Sequence, residues 1–338
     1  MTKKAFITGI KGQDGAYLAK LLLEKGYEVY GGVRRVSNEG ASRLEKLGIL
    51  EDVQLREFDL SDMETIKRTI DENPVDEFYN LAAQSFVGTS WDKSIQSADV
   101  NGLGVVKILE CLRASFPDTR YYQASSSEMF GLVQDVPQCE NTALLPCSPY
   151  GSAKVYGHLI TSNYCDSFGM YASSGILYNH ESPLRGEQYV TRKTTHALAR
   201  IARGSDEPLV LGNLEAQRDW GFAGDYVEGM WRMLQQDKAD NYVLATGVST
   251  PIRDFVRFAA ECLGMELEFQ GKGVDEIAID KKTGKTVVKV SEQFFRPAEV
   301  AMLVGNASKA KDKLGWTPTV EIHELAEMMA KSDYDDLG

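Results

Sequence analysis

Near its start the chain reads Lys4-Ala-Phe-Ile-Thr-Gly9, a short apolar run ended by glycine. It continues Gly9-Ile10-Lys11-Gly12-Gln13-Asp14-Gly15 straight into Ala16-Tyr-Leu-Ala-Lys-Leu-Leu-Leu. Strand, glycine turn, then apolar-periodic helix is the feature that most restricts the fold. The glycines permit a tight turn and close backbone approach, and the helix N-terminus offers unpaired N–H groups to a pyrophosphate. The spacing is GxxGxxG rather than GxGxxG, so the turn taken alone could be only a turn.

The same strand-and-helix unit then recurs along the chain. The first helix stops at Lys25-Gly26, an ordinary C-terminal signal, and Tyr27-Glu-Val-Tyr-Gly-Gly-Val33 reads as the second strand. Val53–Phe58, Val75–Gln84 and Thr119–Gln123 read as the next three strands, with helices over Met63–Asn73 and Ala98–Ala114. A helix over Tyr150–Phe168 and a strand over Tyr171–Leu177 continue the alternation, which argues for a Rossmann-type doubly wound parallel α/β sheet. Beyond Tyr178 the pattern loosens. Helices at 191–203, 225–236, 251–263 and 320–331 alternate with strands at Pro208–Leu211 and Asn241–Leu244, and Ile277–Val290 suggests a hairpin around Lys282-Thr-Gly284. The expected division is residues 1–178, dinucleotide-binding, and a smaller C-terminal α/β substrate-binding lobe at 179–338, with some chain returning to the sheet.

Directly after the second strand, where a carboxylate would hold the ribose hydroxyl of NAD, stand Arg34-Arg35, with no acidic residue before Glu39. Arginine there suits a 2′-phosphate, so the expected cofactor is NADP; the alternative is a solvated basic pair. Arg43 joins them if the loop folds back. Alanines after the fourth strand (Leu81-Ala82-Ala83-Gln84-Ser85) let a flat ring approach the carboxyl edge of the sheet, although small residues also serve helix packing.

The chemistry concentrates between Tyr122 and Lys154. The fifth strand delivers Ser125, Ser126 and Glu128 to the same edge, and Ser148-Pro149 opens a helix on which Tyr150 and Lys154 share a face. A free phenol has a pKa of about 10, and a neighbouring ammonium favours its phenolate, making it a proton acceptor for an alcohol. Glu128 is a candidate carboxylate base, or else a cap residue in the capping-box pattern Ser125-x-x-Glu128.

Composition agrees. At 338 residues and 43% hydrophobic, the chain can bury a real core. Net charge is -12 with scattered Lys and Arg, which disfavours nucleic acid. No membrane span or leader is apparent, so a soluble cytoplasmic protein is expected. Five cysteines (111, 139, 147, 165, 262) lack ligand spacing; reduced thiols and no metal are expected.

Glycine turn plus YxxxK resembles the extended short-chain dehydrogenase/reductase family. Narrower blocks are similar to the GDP-mannose 4,6-dehydratases over roughly residues 3–330. These are Gly9–Leu18, Asn80–Ser85, Gln123–Gly131, Tyr178-Asn-His-Glu-Ser-Pro183, Val190-Thr-Arg-Lys193, Leu211–Gly221 and Phe295-Arg-Pro-Ala-Glu299-Val. The resemblance implies a lyase with tightly held NADP that oxidises C4 of GDP-mannose, eliminates water across C5 and C6 and returns hydride to C6. Tyr150 would be the base at the 4-hydroxyl, Lys154 its partner and ribose anchor, Ser126 the hydroxyl at O4 and Glu128 the C5 base. Gly9 through Gly15, Arg34, Arg35, Arg43, Asp59, Leu60, Leu81, Ala82, Ala83, Gln84, Ser85, His180 and Arg185 would line the cofactor. Ser85, Asn179, Val190, Lys193, Gly212, Arg218, Arg253, Arg296 and Glu299 would meet the sugar nucleotide, although Arg218 beside Asp219 could equally be an internal ion pair.

The sequence departs from the family in having Ser126 for Thr, Gln96 for Tyr, and Gly-Phe-Ala-Gly at 221–224. The resemblance also implies a homo-oligomer, dimer or tetramer, with the Arg34–Arg43 loop at the interface. A nucleotide-sugar epimerase or 4-keto reductase would share the glycines and YxxxK without needing Glu128. A non-catalytic NADP-sensing protein would not need Ser126, Tyr150 and Lys154.

Overall fold

The structure, a computed structural model, describes residues 2–294 and 302–338. In chain order the elements are β1 (Lys4–Thr8), α1 (Gln13–Glu24), β2 (Glu28–Val33), α2 (Ser42–Lys46), β3 (Val53–Glu57), α3 (Met63–Glu72), β4 (Glu77–Asn80), α4 (Thr89–Asp92), α5 (Ser94–Ala98), α6 (Gly104–Ser115), β5 (Arg120–Ser126), α7 (Pro149–Phe168) and β6 (Ala172–Leu177). After these come β7 (Asn179–Glu181), α8 (Val190–Ala202), β8 (Leu209–Leu211), β9 (Gln217–Phe222), α9 (Ala223–Met233), β10 (Tyr242–Leu244), β11 (Ser249–Pro251), α10 (Ile252–Cys262), β12 (Leu267–Gln270), β13 (Ile277–Asp280), β14 (Thr286–Val290), α11 (Ser308–Leu314) and α12 (Ile322–Asp336).

Two compact units result. The first comprises Met1–Tyr178, Ala223–Leu244 and Gly305–Thr317; the second comprises Asn179–Phe222, Ala245–Val304 and Pro318–Gly338. The first is built on a seven-stranded parallel sheet in the order β10-β6-β5-β4-β1-β2-β3. This is the doubly wound, Rossmann-type sheet expected. Its strand order reverses between β1 and β4, where ligands bind in such sheets. One of its cores is aromatic: Phe6 and Phe78 stack at 5.0 Å, flanked by Phe58 and Tyr121.

The second unit carries a three-stranded sheet, β11-β9-β7, and a four-stranded one, β12-β13-β14-β8. The expected hairpin is the antiparallel pair β13/β14. Its core gathers Trp220, Phe255, Leu325 and Met329. Helix α12 runs past the expected end at 331 because Asp333, fully buried, accepts hydrogen bonds from Arg192 Nε (2.6 Å) and Thr195 Oγ1 (2.5 Å) of α8.

The expected Ala98–Ala114 helix is interrupted. A π turn over Asp99–Leu103 separates α5 from α6. Buried Asn101 turns its side chain away from the helix, accepting from the Gln84 amide (2.9 Å) and donating to the Gln84 carbonyl (3.1 Å) and Ser97 Oγ (3.2 Å). No helix among the described residues is long and apolar enough to cross a membrane.

Candidate active site

Strand β1 ends at Thr8, and Gly9 turns the chain with φ +70°, a left-handed conformation that favours glycine. A Cβ on Gly9 would lie 2.9 Å from the Ala82 N and Cα atoms. One on Gly15 would lie 2.4 Å from the Gly9 carbonyl oxygen. The glycines thus let the β1 turn touch the segment after β4 and let α1 start tight against that turn. Gly12 is the N-cap and has no side chain with which to satisfy the first amides of α1. The positive end of the helix dipole there favours an anion.

Around this turn lies a cavity of about 900 Å³, formed within the first unit. Of the expected cofactor residues, Gly9, Lys11, Gly12, Arg34, Arg35, Asp59, Leu60, Ala82, Ala83 and Gln84 line it. Ile10, Gln13, Asp14, Gly15, Arg43, Leu81 and Ser85 do not. Ile10 is fully buried against Gly31, Gln13 Nε2 donates to Asp14 Oδ1 (2.9 Å), and Arg43 Nη1 donates to the Lys11 carbonyl (3.2 Å). Arg43 therefore does fold back, onto the glycine turn itself. Lys11 Nζ donates to the carbonyls of Ser37 and Glu39, both at 2.7 Å, and so shapes the loop after β2.

Arg34 and Arg35 are exposed on that loop and make no hydrogen bond or ion pair among the described residues. Asp59 Oδ1 is engaged by Ser61 N (3.0 Å) and Oγ (2.7 Å). Lys93 also lines the cavity, a cation that sequence reasoning missed, and so does Gln96. A cradle that a Cβ would fill and a helix start without a side-chain cap fit a dinucleotide.

At the neighbouring edge, β5 extends through Ser126, three residues beyond the expected end. Ser126 then caps a 3₁₀ turn over Ser127–Met129, its Oγ accepting the Glu128 N–H at 3.2 Å. The capping box on Ser125 does not form, because the buried Ser125 hydroxyl hydrogen-bonds His158 Nδ1 at 2.9 Å. Burial lowers the His158 pKa to about 4, so the ring is neutral at pH 7. No periodicity in the sequence marked this histidine.

Helix α7 begins as the sequence predicts: Ser148 Oγ accepts the Gly151 N–H (3.0 Å) and Pro149 occupies the first turn. Tyr150 and Lys154 are 7% and 4% exposed, with Lys154 Nζ 5.7 Å from the Tyr150 ring centroid. Lys154 Nζ donates to the Ala124 carbonyl at 2.8 Å. Burial lowers its pKa to about 8, opposed by the charge of Asp14. A Cβ on Gly151 would meet the Glu128 carbonyl at 2.7 Å, so the 3₁₀ turn carrying half-buried Glu128 abuts the turn carrying Tyr150.

The remaining candidates among the described residues lie in the second unit. His180 is buried and Asn179 half-buried on β7. Arg185, an expected cofactor contact, is ion-paired with buried Glu181 at 3.0 Å and stacked 3.7 Å from the Tyr189 ring centroid. Val190 opens α8. Lys193 Nζ sits 4.6 Å from the Phe294 ring centroid, with its pKa lowered by burial and no hydrogen bond or ion pair from its ammonium among the described residues. Gly212 lets the chain pass the Phe294 carbonyl, which a Cβ would meet at 2.2 Å. Arg218 donates to the Gln217 carbonyl (2.7 Å), while the Asp219 carboxylate accepts from Thr246 N and Oγ1 and from Gly247 N. Arg253 is held between Glu276 (2.8 Å) and Glu215. Arg296 and Glu299 lie outside the described residues.

Comparison with known proteins agrees over nearly the whole chain. A family model described as GDP-mannose 4,6 dehydratase matches residues 6–329. A protein of Yersinia enterocolitica named GDP-mannose 4,6-dehydratase is 49% identical, covering 97% of this chain and 93% of its own length. One of the same name from Vibrio cholerae is 47% identical, covering 98% and 94%. Among solved structures, UDP-glucose 4-epimerase of Thermotoga maritima with UDP-glucose superposes with a TM-score of 0.82 at 21% identity, covering 99% and 100%. RMD from Pseudomonas aeruginosa complexed with NADPH gives 0.79 at 19%, covering 99% and 100%. dTDP-glucose 4,6-dehydratase from Bacillus anthracis in complex with NAD gives 0.80 at 19%, covering 99% and 97%. At these identities the structures speak for the fold.

Proposed function

The chain belongs to the GDP-mannose 4,6-dehydratase family, and from that premise we propose that it is an NADP-dependent hydro-lyase converting GDP-α-D-mannose to GDP-4-dehydro-6-deoxy-D-mannose and water. The first-turn amides of α1 would hold the pyrophosphate, and Arg34 and Arg35 the 2′-phosphate. Asp59 and Leu60 would flank the adenine, and Ala82 to Ser85 the nicotinamide end. Bound there, NADP supplies an acceptor for hydride from C4 and a donor of it to C6, so the reaction has no net redox change.

The protein's own groups handle the protons. Tyr150 accepts the proton of the 4-hydroxyl, with the Lys154 ammonium favouring its phenolate. Ser126 hydrogen-bonds O4. Glu128 removes the C5 proton, acidified by the neighbouring ketone, and protonates the departing C6 hydroxyl. Lys193 and Arg218 are the cations of the second unit proposed for the diphosphate, with Asn179, Val190, Gly212 and Arg253 around the nucleotide sugar.

The observation that supports this reading is the packing of the Ser126–Glu128 turn against the first turn of α7 across Gly151, where the Glu128 backbone carbonyl lies against the turn that carries Tyr150. Glu128→Gln tests it. Loaded with NADP and given GDP-mannose, this variant should accumulate NADPH and 4-keto sugar, incorporate little deuterium at C5 in heavy water, and form no 6-deoxy product. Near wild-type product formation removes Glu128 from the chemistry.

We propose further that the protein acts in the cytoplasm, in keeping with five free cysteines, and as a homo-oligomer. Exposed Trp91, Ile95, Tyr156 and Leu159, on α4, α5 and α7, supply apolar surface for self-association. Sedimentation velocity at micromolar concentration should show a dimer or tetramer, and a monomer would dismiss this.

A further inference from the structure

Thr8, Asn80 and Gln123 occupy one rung of the parallel sheet: Thr8 pairs in register with Asn80, and Asn80 with Gln123. Residues on one rung point to one face, roughly 4.8 Å apart between strands, so each side chain reaches the next. All three are at most 2% exposed. Their hydrogen bonds run in one direction. The Leu81 and Ala82 amides donate to Thr8 Oγ1 (3.0 and 2.9 Å), Thr8 Oγ1 donates to Asn80 Oδ1 (2.7 Å), and Asn80 Nδ2 donates to Gln123 Oε1 (2.9 Å). Gln123 Nε2 then donates to the Ala124 carbonyl (3.1 Å), the same oxygen that accepts from Lys154 Nζ (2.8 Å). Tyr121 Oη donates a second bond to Gln123 Oε1 at 2.6 Å.

Both oxygen partners and the amide donor of Gln123 are thus committed, and its side chain is clamped. The ammonium of Lys154 has one hydrogen-bond acceptor among the described residues, and Gln123 shares that acceptor. We infer that Gln123 is a positioning residue for Lys154, joining the wall of the cofactor cavity at Thr8 and Ala82 to the catalytic lysine through one buried chain of donors. Chains of this kind polarise one another, and a broken member costs more than its own bond. The inference rests on the reading of Lys154 as the partner of Tyr150.

The test compares wild type with Gln123→Met, which keeps length and apolar bulk but has no amide. Lysine labelled with ¹³C in the full chain, with Lys154 assigned through Lys154→Arg, reports the titration of Lys154 with and without NADP. Removing an N–H dipole whose positive end faces the ammonium's own acceptor should raise the Lys154 midpoint by about half a pH unit. kcat should fall about tenfold, with KM and the NADP dissociation constant within twofold. An unchanged or lowered midpoint together with wild-type kcat in folded protein overturns the proposal. If Gln123→Met does not fold, Tyr121→Phe decides. It removes one of the two bonds that the Gln123 side-chain oxygen accepts and keeps the ring, and it should shift the midpoint in the same direction by a smaller amount, whereas no shift overturns the proposal. Should wild type fail to dehydrate GDP-mannose, the functional reading falls, while the NMR titration still reports on the chain from Gln123 to Lys154.

Discussion

Lys154 should make the folded protein less stable than it would be without it. Its pKa is lowered from 10.5 to about 8 by burial, so between those values the unfolded chain binds more protons than the folded one. Stability then rises with pH across that window, and below pH 8 the full penalty is present. A drop of about two and a half pH units corresponds to roughly 3 kcal/mol. Lys154→Met removes the penalty and fills similar volume with an unbranched apolar chain. The Ala124 carbonyl is not orphaned by the change, because Gln123 Nε2 still donates to it. The variant should therefore gain about 1–3 kcal/mol at pH 7, after allowance for one lost hydrogen bond, while losing turnover. Urea unfolding of nucleotide-free wild type and variant, at pH 7 and again at pH 9.5, measures the difference. It should shrink by more than half at the higher pH, since the unfolded-state advantage there is roughly one pH unit. A variant no more stable than wild type at pH 7, or a difference independent of pH, would show that the Asp14 charge outweighs burial.

Other outcomes rest on the same geometry. Replacing Arg34 and Arg35 together by Ala should weaken NADP at least about tenfold and leave NAD nearly unchanged; calorimetry with both nucleotides checks it, and equal losses would assign the pair another role. Tyr150→Phe should give no NADPH absorbance on addition of GDP-mannose, and wild-type absorbance would exclude the phenol. Gly9→Ala places a Cβ 2.9 Å from the Ala82 backbone at φ +70°, so it should cost more than about 1 kcal/mol and abolish NADP binding; unchanged thermal stability would mean that the turn relaxes.

The βα units of the first unit are legible because each combines an apolar strand with a glycine or small-residue stop and a periodic helix, and all three signals agree. The α7 start is legible for the same reason: Ser148 and Pro149 are local signals for a helix and find their partners within a few residues. Short strands such as β7 and β11 are not, since three residues carry no period. The π turn is hidden because its cause is Asn101 reaching Gln84, 17 positions away in sequence. The polar rung is hidden for a similar reason, as Asn80 and Gln123 are 43 residues apart and meet only once the strands are in register. Buried polar residues at strand ends are a usable signal, but only after the sheet order is known.

The irregular backbone is where the site is built. Helix α7 seats on two interruptions of regular structure, the 3₁₀ turn after β5 and the π turn before α6, and a glycine faces each. A Cβ on Gly151 would press the Glu128 carbonyl at 2.7 Å, and one on Gly157 the Asn101 carbonyl at 3.0 Å. Side chains at either place would push α7 away from β5, and the first bond to lengthen would be that from Lys154 to Ala124. Two residues without side chains therefore set the position of a lysine that burial disfavours. The placement of Lys154 and its cost have one source, the close approach of this helix to the carboxyl edge of the sheet.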